Sequence, residues 1–426
     1  MYALIMLVFI IGYAAIAFEH PIKINKSASA LLTGVLCWVI YIMGSADTTH
    51  VSGQLYEHLG QIAGILFFLL GAMTIVELID SHDGFAVITS RIKTKDSRKL
   101  LWIIGIVTFF LSSVLDNLTT TIVMVSLARK LIPSKETRMF FTGIIVIAAN
   151  AGGAWSPIGD VTTTMLWIGG QITSAGIIIQ TFIPSLMCLI VPLVFLSFKM
   201  KGQIEPATMV EIEQKDKTSS FERNLILWMG VGALVFVPVF KTITNLPPFM
   251  GILFGLSVLW VCTEIIHKNK NDEEKDVYSV AHALRRVDVP CVLFFLGILI
   301  AISALESIHL LSDLAILMDK VISNTKVIVL LIGLLSAVVD NVPLVAAGMG
   351  MYDMHTYPTD SYFWAFVAYC AGTGGSCLII GSAAGVAAMG MEKIDFIWYL
   401  KKIALLALLG YFAGALTFLA QLYLFG

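Results

Sequence analysis

The sequence predicts an all-α polytopic membrane protein built from two inverted repeats. Three observations carry that expectation: the chain is overwhelmingly apolar, its lysines and arginines gather in particular loops, and short phrases recur once in each half. Of 426 residues, 58% are hydrophobic and 13% charged. A soluble domain of this size needs more polar surface, so lipid is the expected solvent for most of the chain. Runs such as 3–18, 101–114 and 403–425 have the apolarity of bilayer segments. The first run lacks a positive leading stretch and a small-residue cleavage site, so it reads as a retained span. Cys37, Cys188, Cys262, Cys291, Cys370 and Cys377 stand singly in apolar runs, which suits small buried residues and neither disulfides nor metal ligands.

Taken in order, spans are expected near 3–18, 27–44, 61–80, 139–173, 177–198, 223–240, 248–266, 289–306, 361–391 and 397–425. Two further apolar segments, 100–132 and 326–354, are interrupted by Asp-Asn. If both enter and leave on the same side, 24 of the 27 lysines and arginines share one face, and the other keeps only Lys241, Lys320 and Lys326. That asymmetry is the positive-inside pattern, and it puts both termini outside. The interrupted segments then become re-entrant hairpins, 100–132 from the cytoplasm and 326–354 from outside. Irregular backbone at membrane depth must be buried in protein or line a polar cavity, so the hairpins already suggest a site. Segments 85–92 and 314–322 read as short interfacial helices.

The halves share text. Ile65-Leu-Phe-Phe-Leu matches Val292-Leu-Phe-Phe-Leu, and Leu111-Ser-Ser-Val-Leu-Asp116-Asn117 matches Leu335-Ser-Ala-Val-Val-Asp340-Asn341. Gly152-Gly153 followed by Gly159 matches Gly374-Gly375 followed by Gly381. The first repeat is expected over 1–200, with a broken helix at 139–173. A cytoplasmic linker follows at 201–222, and the second repeat occupies 223–426, with its broken helix at 361–391. Five crossings per repeat, an odd number, force the copies into opposite orientations. Inverted repeats around discontinuous helices are the architecture of secondary transporters, with the site near the midplane.

The candidate site residues lie at these interruptions. The first hairpin tip offers Asp116, Asn117, Thr119 and Thr120. A carboxylate deep in an apolar segment is costly unless something binds it. Carboxylate, amide and hydroxyl oxygens together suit a hard cation, and the same carboxylate can take a proton when the cation leaves. Asp-Asn can also cap the returning helix. The first broken helix, Asn150-Ala-Gly-Gly-Ala-Trp-Ser156-Pro-Ile-Gly-Asp160-Val-Thr162-Thr163, contains glycines and a proline that interrupt it. Its Asn150, Ser156, Asp160, Thr162 and Thr163 add side-chain oxygens. The second half supplies Ser336, Asp340, Asn341 and Ser376, with Ser382 where the first half has Asp160. Sodium is expected at Asp116, Asn117, Asn150, Asp160, Asp340 and Asn341. Glu77 and Glu306 end matching spans and are candidates for a proton path or gate. His82 and His309, just beyond those ends, could titrate near neutral pH.

With these motifs the chain resembles the NhaD-type Na⁺/H⁺ antiporters of the ion transporter superfamily. The resemblance also rests on Gly71-Ala-Met-Thr74-Ile-Val-Glu77-Leu-Ile-Asp80-Ser-His-Asp-Gly-Phe85 and covers nearly the whole chain. It implies Na⁺, and Li⁺ beside it, exchanged for H⁺ by an elevator-like movement in a homodimer. No cofactor and no nucleic acid are expected, and a bacterial inner membrane is the expected location. Sodium-coupled anion carriers of the same superfamily, such as dicarboxylate symporters, share the layout but carry Ser-Asn-Thr at the tips, and an oxyanion permease is a further alternative; Asp116 and Asp340 would repel the anion in either. No nucleophile–base pair, HExxH or nucleotide loop points to an enzyme.

Overall fold

The computed structural model describes the whole chain apart from residues 18, 90, 91, 93, 95, 201, 203–218, 269 and 426. It is helical almost throughout. The order is α1 (Tyr2–Ala17), α2 (Glu19–Ile22), α3 (Lys26–Gly44), α4 (Thr48–Ser81), α5 (Ala86–Thr89), α6 (Ser97–Ser112), α7 (Asn117–Leu131), α8 (Lys135–Gly153), α9 (Val161–Ile168), α10 (Ser174–Lys199) and α11 (Ser220–Thr244). It continues with α12 (Pro248–Ile266), α13 (Asp272–Val277), α14 (Val280–Arg286), α15 (Val289–Ser307), α16 (Leu310–Ile322), α17 (Thr325–Leu335), α18 (Asn341–Met351), α19 (Tyr362–Gly374), α20 (Ala383–Glu392), α21 (Phe396–Lys402) and α22 (Ala404–Phe425). Among the described residues, seven of these helices are long and apolar enough to cross a membrane. The chain is therefore a multi-pass membrane protein.

Both Asp-Asn segments break where the sequence places the interruption, between α6 and α7 and between α17 and α18. Both glycine-rich stretches also break, between α8 and α9 and between α19 and α20. Two boundaries differ from expectation. Helix α4 starts at Thr48, not near 61, because Asp47 caps it by accepting from the His50 N–H; the polar turns from Thr48 to Gln61 lie outside any apolar window. The last span divides at Ile403 into α21 and α22. Helix α16 contains the expected segment 314–322, and α5 part of 85–92, of which residues 90 and 91 lie outside the described set. Most of the linker 201–222 lies outside it as well.

Helices α1, α3, α4, α11, α12 and α15 pack with one another, α15 lying along α3 and α12 against α4. A second group joins α6 to α8, α10 to α22, α17 to α19, and α20 to α7 and α8. The groups meet mainly where α18 touches α15 and α9 touches α4.

The breaks are held by the same close approaches in both halves. A Cβ on Gly159 would lie 2.6 Å from the Ser112 carbonyl oxygen, and one on Gly381 would lie 2.6 Å from that of Ser336. Ser112 Oγ donates to the Ala149 carbonyl at 2.6 Å, and Ser336 Oγ to that of Ala371 at 2.8 Å. The shared glycines and serines are thus contact points that let two backbones touch.

Candidate functional site

The interruptions start four helices inside the protein, and each start is capped by a side chain from the matched motifs. Asp116 caps α7, Asp160 caps α9, Asp340 caps α18 and Ser382 caps α20. A helix N-terminus exposes unpaired N–H groups and the positive end of its dipole, so an acid is stabilised there. Capping and placement of the acids are therefore one fact.

Asp160 is the hub. It is 2% exposed, and its Oδ1 accepts from the Thr162 N–H at 3.1 Å. Its Oδ2 accepts from two amides, Asn117 Nδ2 at 3.0 Å and Asn341 Nδ2 at 3.2 Å. The residues after the two Asp caps thus converge on one carboxylate from opposite halves. Asn117 Nδ2 also donates to Asn150 Oδ1 at 3.0 Å, and Asn150 Nδ2 donates to Ser376 Oγ and Ser382 Oγ, each at 2.9 Å. The amides form a relay that links the serines of the second break to the acid of the first, with Asn117 donating in both directions. Buried polar groups must be paired, and this relay pairs them across all four breaks.

The outer acids are arranged differently. Asp116 accepts from the Thr119 N–H at 2.8 Å and the Thr119 hydroxyl at 2.6 Å. Asp340 accepts from the Val342 N–H at 3.3 Å and pairs with Lys26 Nζ at 3.3 Å. The three acids do not form a single chelating cluster; among the described residues no three of His, Cys, Asp and Glu are grouped to hold a metal. Asp116, Asn117 and Asp160 do share a cavity of about 60 Å³, with Phe68, Met73 and Cys291 among its walls. That space exceeds the ~10–15 Å³ one water requires.

The remaining expected residues sort by position. Thr163 Oγ1 donates to the Asp160 carbonyl at 2.9 Å, which fixes the α9 start. The hydroxyls of Thr120 and Thr162 are buried without a hydrogen-bond partner among the described residues. Ser156 accepts from the Ile158 N–H inside the break and does not reach Asp160 in a hydrogen bond. Ser336 is committed to the Ala371 carbonyl. Glu77 forms an ion pair with Arg286 at 3.2 Å, and Arg286 also meets Asp80. Glu306 lines a separate cavity of about 380 Å³ with His58, Gln61 and Ser303.

Comparison with known proteins places this arrangement. A family model described as citrate transporter, CitMHS, matches residues 7–368. Sodium/proton antiporter 1 of Arabidopsis thaliana is 50% identical over 97% of this chain and 71% of its own length. Sodium/proton antiporter 2 of the same plant is 48% identical over 97% and 98%. The Na⁺/H⁺ antiporter NhaD of Vibrio cholerae is 32% identical over 95% and 89%. The chain belongs to the NhaD-type antiporter family. It is accordingly a transporter and not an enzyme.

For a chain of this family, sequence reading missed two features. His82 is fully buried, stacks with His267 and lies tilted against Tyr278. Its Nδ1 lies 2.7 Å from the Leu78 carbonyl and so carries the hydrogen; its Nε2 then accepts from His267 Nε2–H at 2.9 Å. Burial pushes His82 below the usual imidazole range and His267 down to about 4. The second is Glu392, 3% exposed and held by Arg129 Nε at 2.6 Å and Arg138 Nε at 2.7 Å. Both join residues far apart in sequence, so no local motif announces them.

Proposed function

We propose that this protein exchanges Na⁺ for H⁺ across a membrane, with Asp160 at the centre of the exchange. The observation that carries the reading is the buried Asp160 carboxylate, met by the amides of Asn117 and Asn341 and by the start of α9. An uncharged purpose would not need an acid in a place so costly to charge. The carboxylate has no resident counter-cation among the described residues within hydrogen-bonding reach. A small hard cation suits its oxygens and those the neighbouring asparagines present when they turn. When the cation departs, a proton can neutralise the same carboxylate, so one group serves both ions in turn. Asp116 and Asp340 flank this centre, and Thr120 and Thr162 offer spare hydroxyl oxygens.

The wider scheme belongs to the same proposal. The matched breaks support two inverted repeats, 1–200 and 223–426, with 100–132 and 326–354 as re-entrant hairpins. Asp340 reaches Lys26 in the first turn of α3, and Cys291 from the first turn of α15 lines the Asp116–Asp160 cavity. Asp340 and the Asp116–Asp160 cavity therefore lie beside the basic N-terminal ends of those helices. The Glu306 cavity lies at the opposite end of α15. An elevator-like movement of the α6–α10 and α17–α22 group past the other group would carry the site between these levels. The reading extends to Li⁺ as a second substrate and to a homodimer, as the family resemblance implies. An energised membrane is required, either the bacterial inner membrane or, given the plant relatives, a related one.

The matched family model, a citrate transporter, favours a second reading, citrate transport. Two acids line the cavity, Asp116 and Asp160, and they oppose it, because an anion sharing that space meets like charge. The deciding experiment is acridine-orange dequenching in energised everted vesicles, with NaCl, LiCl, KCl and citrate of an inert cation added in turn. Dequenching by Na⁺ or Li⁺ supports exchange. Citrate uptake without a sodium-driven proton signal refutes it.

A further inference from the structure

Lys26 sits in the first turn of α3, where unpaired N–H groups and the helix dipole already make the end positive. A cation there is repelled by its own helix unless anions hold it. Glu19 Oε1 accepts from the Lys26 backbone N–H at 3.1 Å. The ammonium itself extends to Asp340 Oδ2 at 3.3 Å and lies 4.4 Å from the centre of the Phe294 ring. The pair links side chains 27% and 16% exposed, so water screens it only in part. It joins α3 in one helix group to the start of α18 in the other. Asp116 and Asp160 have no such partner: among the described residues their oxygens accept only from N–H groups and one hydroxyl.

We propose that Lys26 is a tethered counter-cation that occupies Asp340 and competes there with the transported cation. This rests on the exchange reading above and adds what sets the sodium requirement on the lysine-rich side. Asp340 Oδ1 is engaged by the Val342 N–H, and Oδ2 by the ammonium. A cation arriving at Asp340 must therefore displace Lys26. Ammonium and sodium carry the same charge, so the exchange of one for the other leaves the local charge of Asp340 balanced. The Phe294 ring adds a face that attracts the ammonium and favours the occupied state. The same contact ties the α18 start to α3, so its release frees one connection between the helix groups. Lys26 is a positioning residue in this scheme and carries no ion itself.

The test uses the full chain in proteoliposomes, with an internal pH dye reporting proton flux against external NaCl, and calorimetric NaCl titration of the purified protein. Lys26→Gln removes the competitor, and the half-saturating Na⁺ should fall about fivefold, the worth of one partly buried ion pair. Lys26→Arg should stay near the unsubstituted protein. In an Asp340→Asn background, Lys26→Gln should cause no further shift. If Lys26→Gln does not fold, Lys26→Met, whose side chain still packs on Phe294, replaces it. Unchanged half-saturation in Lys26→Gln, or an equal shift with and without Asp340, overturns the proposal while leaving exchange standing. Absence of any sodium response in the unsubstituted protein overturns the exchange reading, and this inference with it.

Discussion

Replacing Asp160 by asparagine removes one charge and almost no volume, yet the hydrogen bonds around it make the change severe. Three N–H groups point at this side chain: Thr162 N–H at Oδ1, and the amides of Asn117 and Asn341 at Oδ2. An asparagine has one acceptor oxygen and one NH₂ group. Either way round, its NH₂ faces at least one donor. Turning Asn117 to compensate puts its carbonyl against Asn150 Oδ1, and the conflict passes along the relay toward Ser376 and Ser382. One unsatisfied buried donor costs ~1–3 kcal/mol, and the bonds lost were to a charged acceptor. Asp160→Asn should therefore insert, show a clearly lower apparent melting temperature in detergent, and give no sodium-driven proton flux in proteoliposomes. Asp160→Ser, which copies the Ser382 cap of the second break, should recover part of the stability and none of the transport. Full exchange in Asp160→Asn, with half-saturating Na⁺ close to that of the unsubstituted protein, would refute the central role given to this carboxylate.

Two further outcomes are expected. Glu392→Gln leaves Arg138, whose side chain is 17% exposed, without its anion; breaking a pair this buried costs ~3–5 kcal/mol, less the share of the 46% exposed Arg129. Thermal melting of the purified protein should show the drop, and Arg138→Gln added to Glu392→Gln should return part of it; additive losses would refute the clamp. For the histidine pair, the folded state holds His267 neutral down to about 4, whereas the unfolded chain protonates near pH ~6.5. Its contribution to stability is present above ~6.5 and is lost as pH falls from there toward about 4, because the unfolded state then binds more protons. His267→Gln should flatten the fall in melting temperature across that window, and an unchanged slope would exclude the pair as its source.

The alternation of apolar runs, the two Asp-Asn interruptions and the two glycine-rich breaks were legible because each follows from local chemistry. Glycine, proline and a capping acid interrupt a helix wherever the rest of the fold lies, so Asp116, Asp160 and Asp340 could be picked out as acids at interruptions inside apolar sequence. The repeated text also identified which positions correspond: Ser112 with Ser336, and Gly159 with Gly381, make the same contacts in both halves. What the chain could not disclose alone was the ranking among these residues. Asp160 became the hub because Asn117 and Asn341, 224 residues apart in a chain of 426, both turn their amides to one of its oxygens. Lys26 is one of 24 lysines and arginines assigned to one face until the fold sets it 3.3 Å from Asp340, and His82 is a residue just beyond a span end until His267 comes to lie beside it. Helix starts and stops depend on neighbours within a few residues, and sequence determines them. The partner of a buried charge depends on which helices pack together, and only the tertiary structure decides that.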